Sequence, residues 1–153
     1  MIIRLDSEAI GRLRATLSRA GKRESGGQLF GEQLASSDFR ITELTVQSRP
    51  GTFAQFFVDT IQATRDAVRF FKRTNHQYRR YNYIGEWHSH PSSSVQPSET
   101  DAETMRDLVQ DSAFKGTFAV LMIVRLDDKA VTASAWVFDP MGAQSPITLE
   151  MAY

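Results

Sequence analysis

Two histidines and an aspartate carry the most pointed chemistry in this 153-residue sequence. The run Gly85-Glu86-Trp87-His88-Ser89-His90-Pro91 sets two imidazoles two residues apart, and Asp101 follows eleven residues after the second. On an extended strand, residues two apart share a face, so both rings can address one ion. Pro91 stops the strand, and Ser92, Ser93 and Ser94 turn the chain toward a helix that can bring Asp101 back. Two nitrogen donors and one oxygen donor suit zinc, and three protein ligands leave a position for water. That pattern belongs to a catalytic metal rather than a structural one.

A competing reading attaches to Ser98-Glu99-Thr100-Asp101. Ser98 can cap a helix while Asp101 reaches back to it, a capping-box arrangement directly after Pro97. One oxygen cannot serve both the cap and the ion, so the two readings compete. His76, beside arginines at a helix end, reads as a surface residue. A hydrolytic metal also needs a base for the water's proton and a donor for the developing oxyanion. Glu86, Glu99 and Glu24 are the candidate bases. Strand spacing favours Glu86, which shares a face with His88; nothing in the periodicity brings Glu24 to the same point, and spacing alone leaves the choice open.

The whole-chain numbers narrow the classes. A chain of 153 residues reads as one domain able to bury a core without staples. Lys+Arg and Asp+Glu both number 18, so no global field draws it to nucleic acid or membrane. With no cysteine, a thiol nucleophile, a Cys-rich zinc finger and the Cys-ligated zinc of nucleoside deaminases are excluded. The lack of disulfides, the charged start with Arg4 and Asp6, and the absence of a long apolar run predict a cytoplasmic protein.

The elements that must position these groups follow from periodicity. Met1 to Leu5 reads as a short strand, and Asp6 or Ser7 caps a helix from Glu8 to about Ala20, with Ile10, Leu13 and Leu17 inward and Gly21 ending it. Glu24 to Glu32 is a glycine-bounded strand whose Gly26-Gly27 admits close approach of another backbone, and Phe39 to Gln47 is the next strand. Arg49-Pro50-Gly51 is a turn, and Phe53, Phe56, Phe57 and Val58 form a short apolar strand. A helix capped by Asp59 or Thr60 runs to about His76, with Ile61, Val68 and Phe71 inward. Tyr81 to His90 is the histidine strand, Ser92 to Pro97 a loop, and Glu99 to about Phe114 a helix. Phe118 to Leu126 is nearly all apolar, which predicts a central strand buried on both faces. Val131 to Phe138 pairs back as its hairpin partner, and Ile147 to Met151 closes an edge. The sum is α/β: one mixed sheet flanked by helices.

Taken together, Glu24 with Gly26-Gly27, then His88-Ser89-His90-Pro91, Ser98 and Asp101 resemble the signature of the JAMM zinc metalloproteases, also called the MPN or JAB family: a glutamate, H-[ST]-H-P, then S-x-x-D, with seven residues between the second histidine and the serine. Pro91 to Pro97 are those seven. The stretch Glu24-Ser25-Gly26-Gly27-Gln28-Leu29-Phe30-Gly31 is similar to the corresponding strand of the short bacterial stand-alone members, and the likeness spans about Glu24 to Leu126.

That resemblance implies a single JAB domain over residues 1–153 with a cytidine-deaminase-like fold. It implies His88, His90 and Asp101 as zinc ligands, Glu24 as general base and proton shuttle, and Ser98 as support for the oxyanion, which displaces Glu86 to a flanking role. It also implies hydrolysis of an amide after the Gly-rich C-terminal tail of a ubiquitin-like or otherwise conjugated protein, with E1- or E2-like partners in bacterial conjugation or antiphage operons. Two alternatives stand beside deconjugation: processing of a ubiquitin-like or sulfur-carrier precursor, and a non-catalytic tail-binding module. No key position is substituted, which weighs against the last.

Overall fold

The computed structural model describes residues 1–47 and 60–153. In chain order these form β1 (Ile2–Leu5), α1 (Ser7–Ala20), β2 (Gly26–Ala35), β3 (Asp38–Leu44), α2 (Thr60–Arg73), β4 (Tyr81–Ser89), α3 (Glu99–Gln110), β5 (Ala119–Asp127), β6 (Ala130–Phe138) and β7 (Gln144–Met151). The strands are hydrogen-bonded in the order β1-β3-β2-β4-β5-β6-β7, and β7 pairs back onto β1. The mixed α/β sheet expected from the sequence is therefore present, but closed into a barrel. The sequence assigns Ile147 to Met151 to an edge; that strand instead has two partners, antiparallel β6 and parallel β1. Closure removes the unpaired edge that a short terminal strand would otherwise expose.

Helix α1 begins where Asp6 accepts a hydrogen bond from the Ala9 amide at 2.9 Å, and it ends at Gly21, whose φ of 61° lies in the left-handed region. Ile10, Leu13 and Leu17 are buried at helical spacing against residues from all seven strands, among them Ile3, Leu29, Ile41, Trp87, Val120 and Val131. Burying such side chains contributes about 1.5–3 kcal/mol each. β5 is buried on both faces, as its apolar run predicts. Val120, Met122 and Val124 face the α1 cluster, and Ala119, Leu121 and Ile123 pack with Met105 and Val109 of α3.

Three helix expectations are corrected. α3 stops at Gln110 rather than near Phe114, because Asp111 turns extended and its carboxylate accepts from the Ala113 amide at 2.7 Å, an alternative to the next helical turn. α2 stops at Arg73, short of His76, and Asn75 and His76 both take φ of 54°. Val68 of α2 is 61% exposed, whereas Phe70 is buried and stacks on Phe30 with ring centroids 4.7 Å apart. His76 is exposed, as read from the sequence. The turn at 49–51, the apolar strand at 53–58, the cap at Asp59 or Thr60 and the inward placement of Ile61 lie outside the described residues. Among the described residues, no helix is long and apolar enough to cross a membrane.

Strand β4 carries a bulge. Leu29 pairs with Gly85 but the next residue, Phe30, pairs with Tyr83, so Ile84 is the extra residue. The bulge rephases the alternation: Ile84 and Trp87 face α1, and Tyr83 and Glu86, three apart, share the opposite face.

Candidate metal centre

β4 delivers Glu86, His88 and His90 to the face that carries α2 and α3, while Trp87 and Ser89 turn the other way. Trp87 is fully buried in the α1 cluster and donates its indole N–H to the Thr45 carbonyl at 2.9 Å. Ser89 Oγ accepts from the Ser25 amide at 2.9 Å, and the Ser89 amide returns a bond to the Ser25 carbonyl at 2.8 Å. Both histidines are buried, with relative exposures of 6% and 4%.

Pro91 ends the strand, and the loop to Pro97 returns the chain so that α3 starts beside the histidines. His88 Nε2 and His90 Nε2 lie 3.1 Å apart; Asp101 Oδ1 is 3.2 Å from the first and Oδ2 is 3.3 Å from the second. The ligand atoms of the three residues all fall within 4.8 Å of one another. A tetrahedral ion with bonds of about 2.0–2.1 Å spaces its donors by about 3.3 Å. Two imidazole nitrogens and a carboxylate at that spacing fit such an ion. His90 Nδ1 lies 2.8 Å from the Ser94 carbonyl, which can only accept. The proton of a neutral His90 therefore sits on Nδ1, which makes Nε2 the atom that would bind an ion. The hydrogen bond to Asp101 holds the His90 pKa above its ordinary value, while burial opposes it. Burial disfavours the Asp101 carboxylate, but hydrogen bonds from His88 and His90 outweigh it and hold that carboxyl well below its usual range.

The cap and the ligand readings of Asp101, opposed in the sequence, coexist. Oδ2 accepts from the Ser98 amide at 2.7 Å, Ser98 Oγ accepts from the Asp101 amide at 3.0 Å, and Oδ1 faces His88. A carboxylate has two oxygens and several lone pairs, so the capping box orients the group instead of consuming it. Glu24 reaches the same place through strand pairing. Gly26 pairs with His88 and the Ser25–Ser89 bonds continue the ladder, which carries Glu24 opposite His90 on the same face. Burial pushes the Glu24 carboxyl above its ordinary value; His88 and His90 pull it back, and Asp101 adds to the rise.

The family model for prokaryotic homologs of the JAB domain matches residues 6–139. The chain belongs to this JAB-domain family. A curated relative from Enterobacter hormaechei, named CD-NTase/cGAS isopeptidase, is 27% identical over 147 residues, covering 95% of this chain and 78% of the relative. Two solution structures share the fold. One, from Desulfitobacterium hafniense, has a TM-score of 0.68 at 17% identity, covering 97% of this chain and 92% of that one. The other, from Salinibacter ruber, has a TM-score of 0.58 at 20% identity, covering 97% and 90%.

In this JAB domain, Glu86, the base that strand spacing favours, is sealed away. Tyr83 donates its hydroxyl to Glu86 Oε1 at 2.6 Å, and burial drives the Glu86 carboxyl up to about 8 despite that bond. Burial likewise holds the Tyr83 phenol well above its usual pKa. The opposite residue is Gln28, and among the described residues Gln28 Oε1 and Glu86 Oε2 both lack a hydrogen-bond partner. A buried oxygen with no donor suits a protonated Glu86, which can donate where a carboxylate only accepts. Sequence reasoning missed Tyr83, because only the bulge at Ile84 brings a residue three back onto the face of Glu86. It also missed the Ser94 carbonyl, for which no side-chain signal exists.

Proposed function

We propose that this JAB domain is a zinc-dependent isopeptidase of the JAMM type, cleaving the amide after the Gly-rich C-terminal tail of a ubiquitin-like or similarly conjugated protein. The observation that supports this reading most is the convergence of His88, His90 and Asp101 at tetrahedral spacing, with Glu24 electrostatically coupled to all three. His88, His90 and Asp101 would hold zinc. When bound, the ion would supply Lewis-acid polarisation and lower the pKa of water. Glu24, partly desolvated, takes the proton of the attacking water and returns it to the departing amine. Ser98 accepts the Asp101 amide through its oxygen and keeps its hydroxyl proton, which donates to the oxyanion on the substrate carbonyl. Ser94 and the capping box hold His90 and Asp101 in their binding orientations.

The name of the Enterobacter relative favours deconjugation over precursor processing, with a CD-NTase-type protein as the conjugated partner. The test is incubation of the zinc-loaded protein with fusions and conjugates carrying different Gly-rich tails, and with the same substrates bearing alanine at the last glycine. Cleavage directly after the glycine tail, crippled by the alanine, supports the reading, since a side chain next to the cut disturbs the attack geometry. Tight tail binding without cleavage would make this a binding module.

A further inference from the structure

The loop from Pro91 to Pro97 joins the histidine pair to Asp101, and three successive carbonyls in it are each held by the body of the protein. Arg125 Nη1 donates to Ser93 O at 2.8 Å, His90 Nδ1 meets Ser94 O at 2.8 Å, and Ser134 Oγ donates to Val95 O. The outer two donors come from β5 and β6. β4 and β5 run parallel with His88 beside Ile123, and the His90 amide bonds Val124 O at 2.9 Å, so the next residue, Arg125, is the β5 neighbour of His90. Ser134 pairs with Ile123 on the adjoining strand.

The geometry points to Arg125 as a positioning residue for the metal centre, with Ser134 as its counterpart; this rests on the zinc reading of the site. Asp127 takes Arg125 Nε at 2.8 Å and Nη2 at 3.0 Å, and Thr132 Oγ1 donates to Asp127 Oδ2 at 2.7 Å. The guanidinium plane is thus fixed by a two-toothed fork, and Nη1 is left aimed at the loop. Each peptide unit is planar, so fixing the carbonyls of Ser93 and Val95 restricts how the Ser94 carbonyl between them can turn. That carbonyl sets the His90 tautomer. The relay runs from Asp127 through Arg125 and the loop backbone to the His90 ring, and no member of it before His90 is among the three residues that would hold the ion. A lysine has no planar fork and cannot hold Asp127 bidentately while reaching Ser93.

The experiment measures zinc affinity by chelator competition in Arg125→Gln, Arg125→Lys and the parent protein. It also reads the His90 tautomer from ring ¹⁵N shifts of the metal-free proteins near pH 9, above the usual histidine pKa of about 6.5. Loss of about 10- to 100-fold in zinc affinity, the usual cost of removing a group that orients a ligand, is expected in both variants. A His90 spectrum shifted from Nδ1–H toward a tautomer mixture should accompany it. A folded variant that melts lower yet keeps the parent's zinc affinity and His90 shifts would overturn the inference, because a merely structural role moves stability alone. If Arg125→Gln does not fold, Ser134→Ala frees the neighbouring carbonyl and is held to the same two readouts: weaker zinc binding and mixed His90 tautomers support the clamp, and unchanged values refute it. Failure of the isopeptidase reading is separate. It would appear as no cleavage by the zinc-loaded parent protein, with the affinity and tautomer effects intact.

Discussion

Replacing Glu86 with glutamine isolates one buried proton. In the folded chain this carboxyl titrates at about 8, against an ordinary value of 4.5. Below about pH 4.5 both folded and unfolded states carry the proton. Between about 4.5 and 8 the unfolded chain has released it while the native chain still holds it, so stability falls as pH rises across that window. The slope approaches about 1.4 kcal/mol per pH unit, and the whole window amounts to roughly 5 kcal/mol at most. Glutamine keeps an oxygen to accept from Tyr83 and gains an N–H for Gln28, with no proton to lose. Urea titrations of the metal-free parent and Glu86→Gln proteins at intervals from about pH 5 to 8.5 test this, the difference between them cancelling the titration of every other group. The variant should gain on the parent steadily with pH, and with zinc restored it should keep cleavage activity. A stability difference that stays flat with pH would show that Glu86 is ionised or hydrated in the fold and refute the reasoning.

Three further outcomes are expected from the geometry. Asp101→Asn retains an oxygen for the Ser98 amide but not the carboxylate charge, so α3 should remain capped by circular dichroism while zinc, measured by elemental analysis, is lost. His88→Ala and His90→Ala should lose zinc as well; full zinc in Asp101→Asn would reduce that residue to a cap. In Gly27→Ala the new methyl would sit 2.1 Å from the Thr45 carbonyl oxygen, and the backbone must move to admit it. That should cost about 3 kcal/mol in urea unfolding, at the upper end of overpacking penalties.

Short-range rules account for the features legible in the sequence. The period of a strand puts His88 and His90 on one face, Pro91 ends that strand, and the S-x-x-D spacing carries both the cap and the approach of Asp101. The apolar run from Phe118 gives a doubly buried strand for the same reason. Features that depend on register are not legible locally. Only the pairing of Gly26 with His88 brings Glu24 across from His90, and the family resemblance supplies that residue where periodicity cannot. Spacing favours Glu86 because a glutamate beside a histidine looks available; Tyr83, Gln28 and the bulge that bury it come from pairings and packing outside the motif. In α2 the spacing of Ile61, Val68 and Phe71 suggests a stripe; Phe71 does meet Phe30 edge to face, but Val68 is exposed and Phe70 is the ring that stacks on Phe30. A four-residue first strand gives no sign that it will pair with β7 and close a barrel. Arg125 lies near the end of the apolar run without any local sign of a role, and its hold on Ser93 exists only in three dimensions.

The most direct test of the account is turnover by Glu24→Gln with its zinc content measured in the same sample. The amide keeps the shape of the carboxylate and cannot accept the water's proton. With zinc equal to the parent protein, cleavage after the glycine tail should fall about 10²–10⁴-fold. Undiminished cleavage by a fully zinc-loaded Glu24→Gln protein would contradict the assignment of Glu24 as the base and, with it, the mechanism proposed for this site.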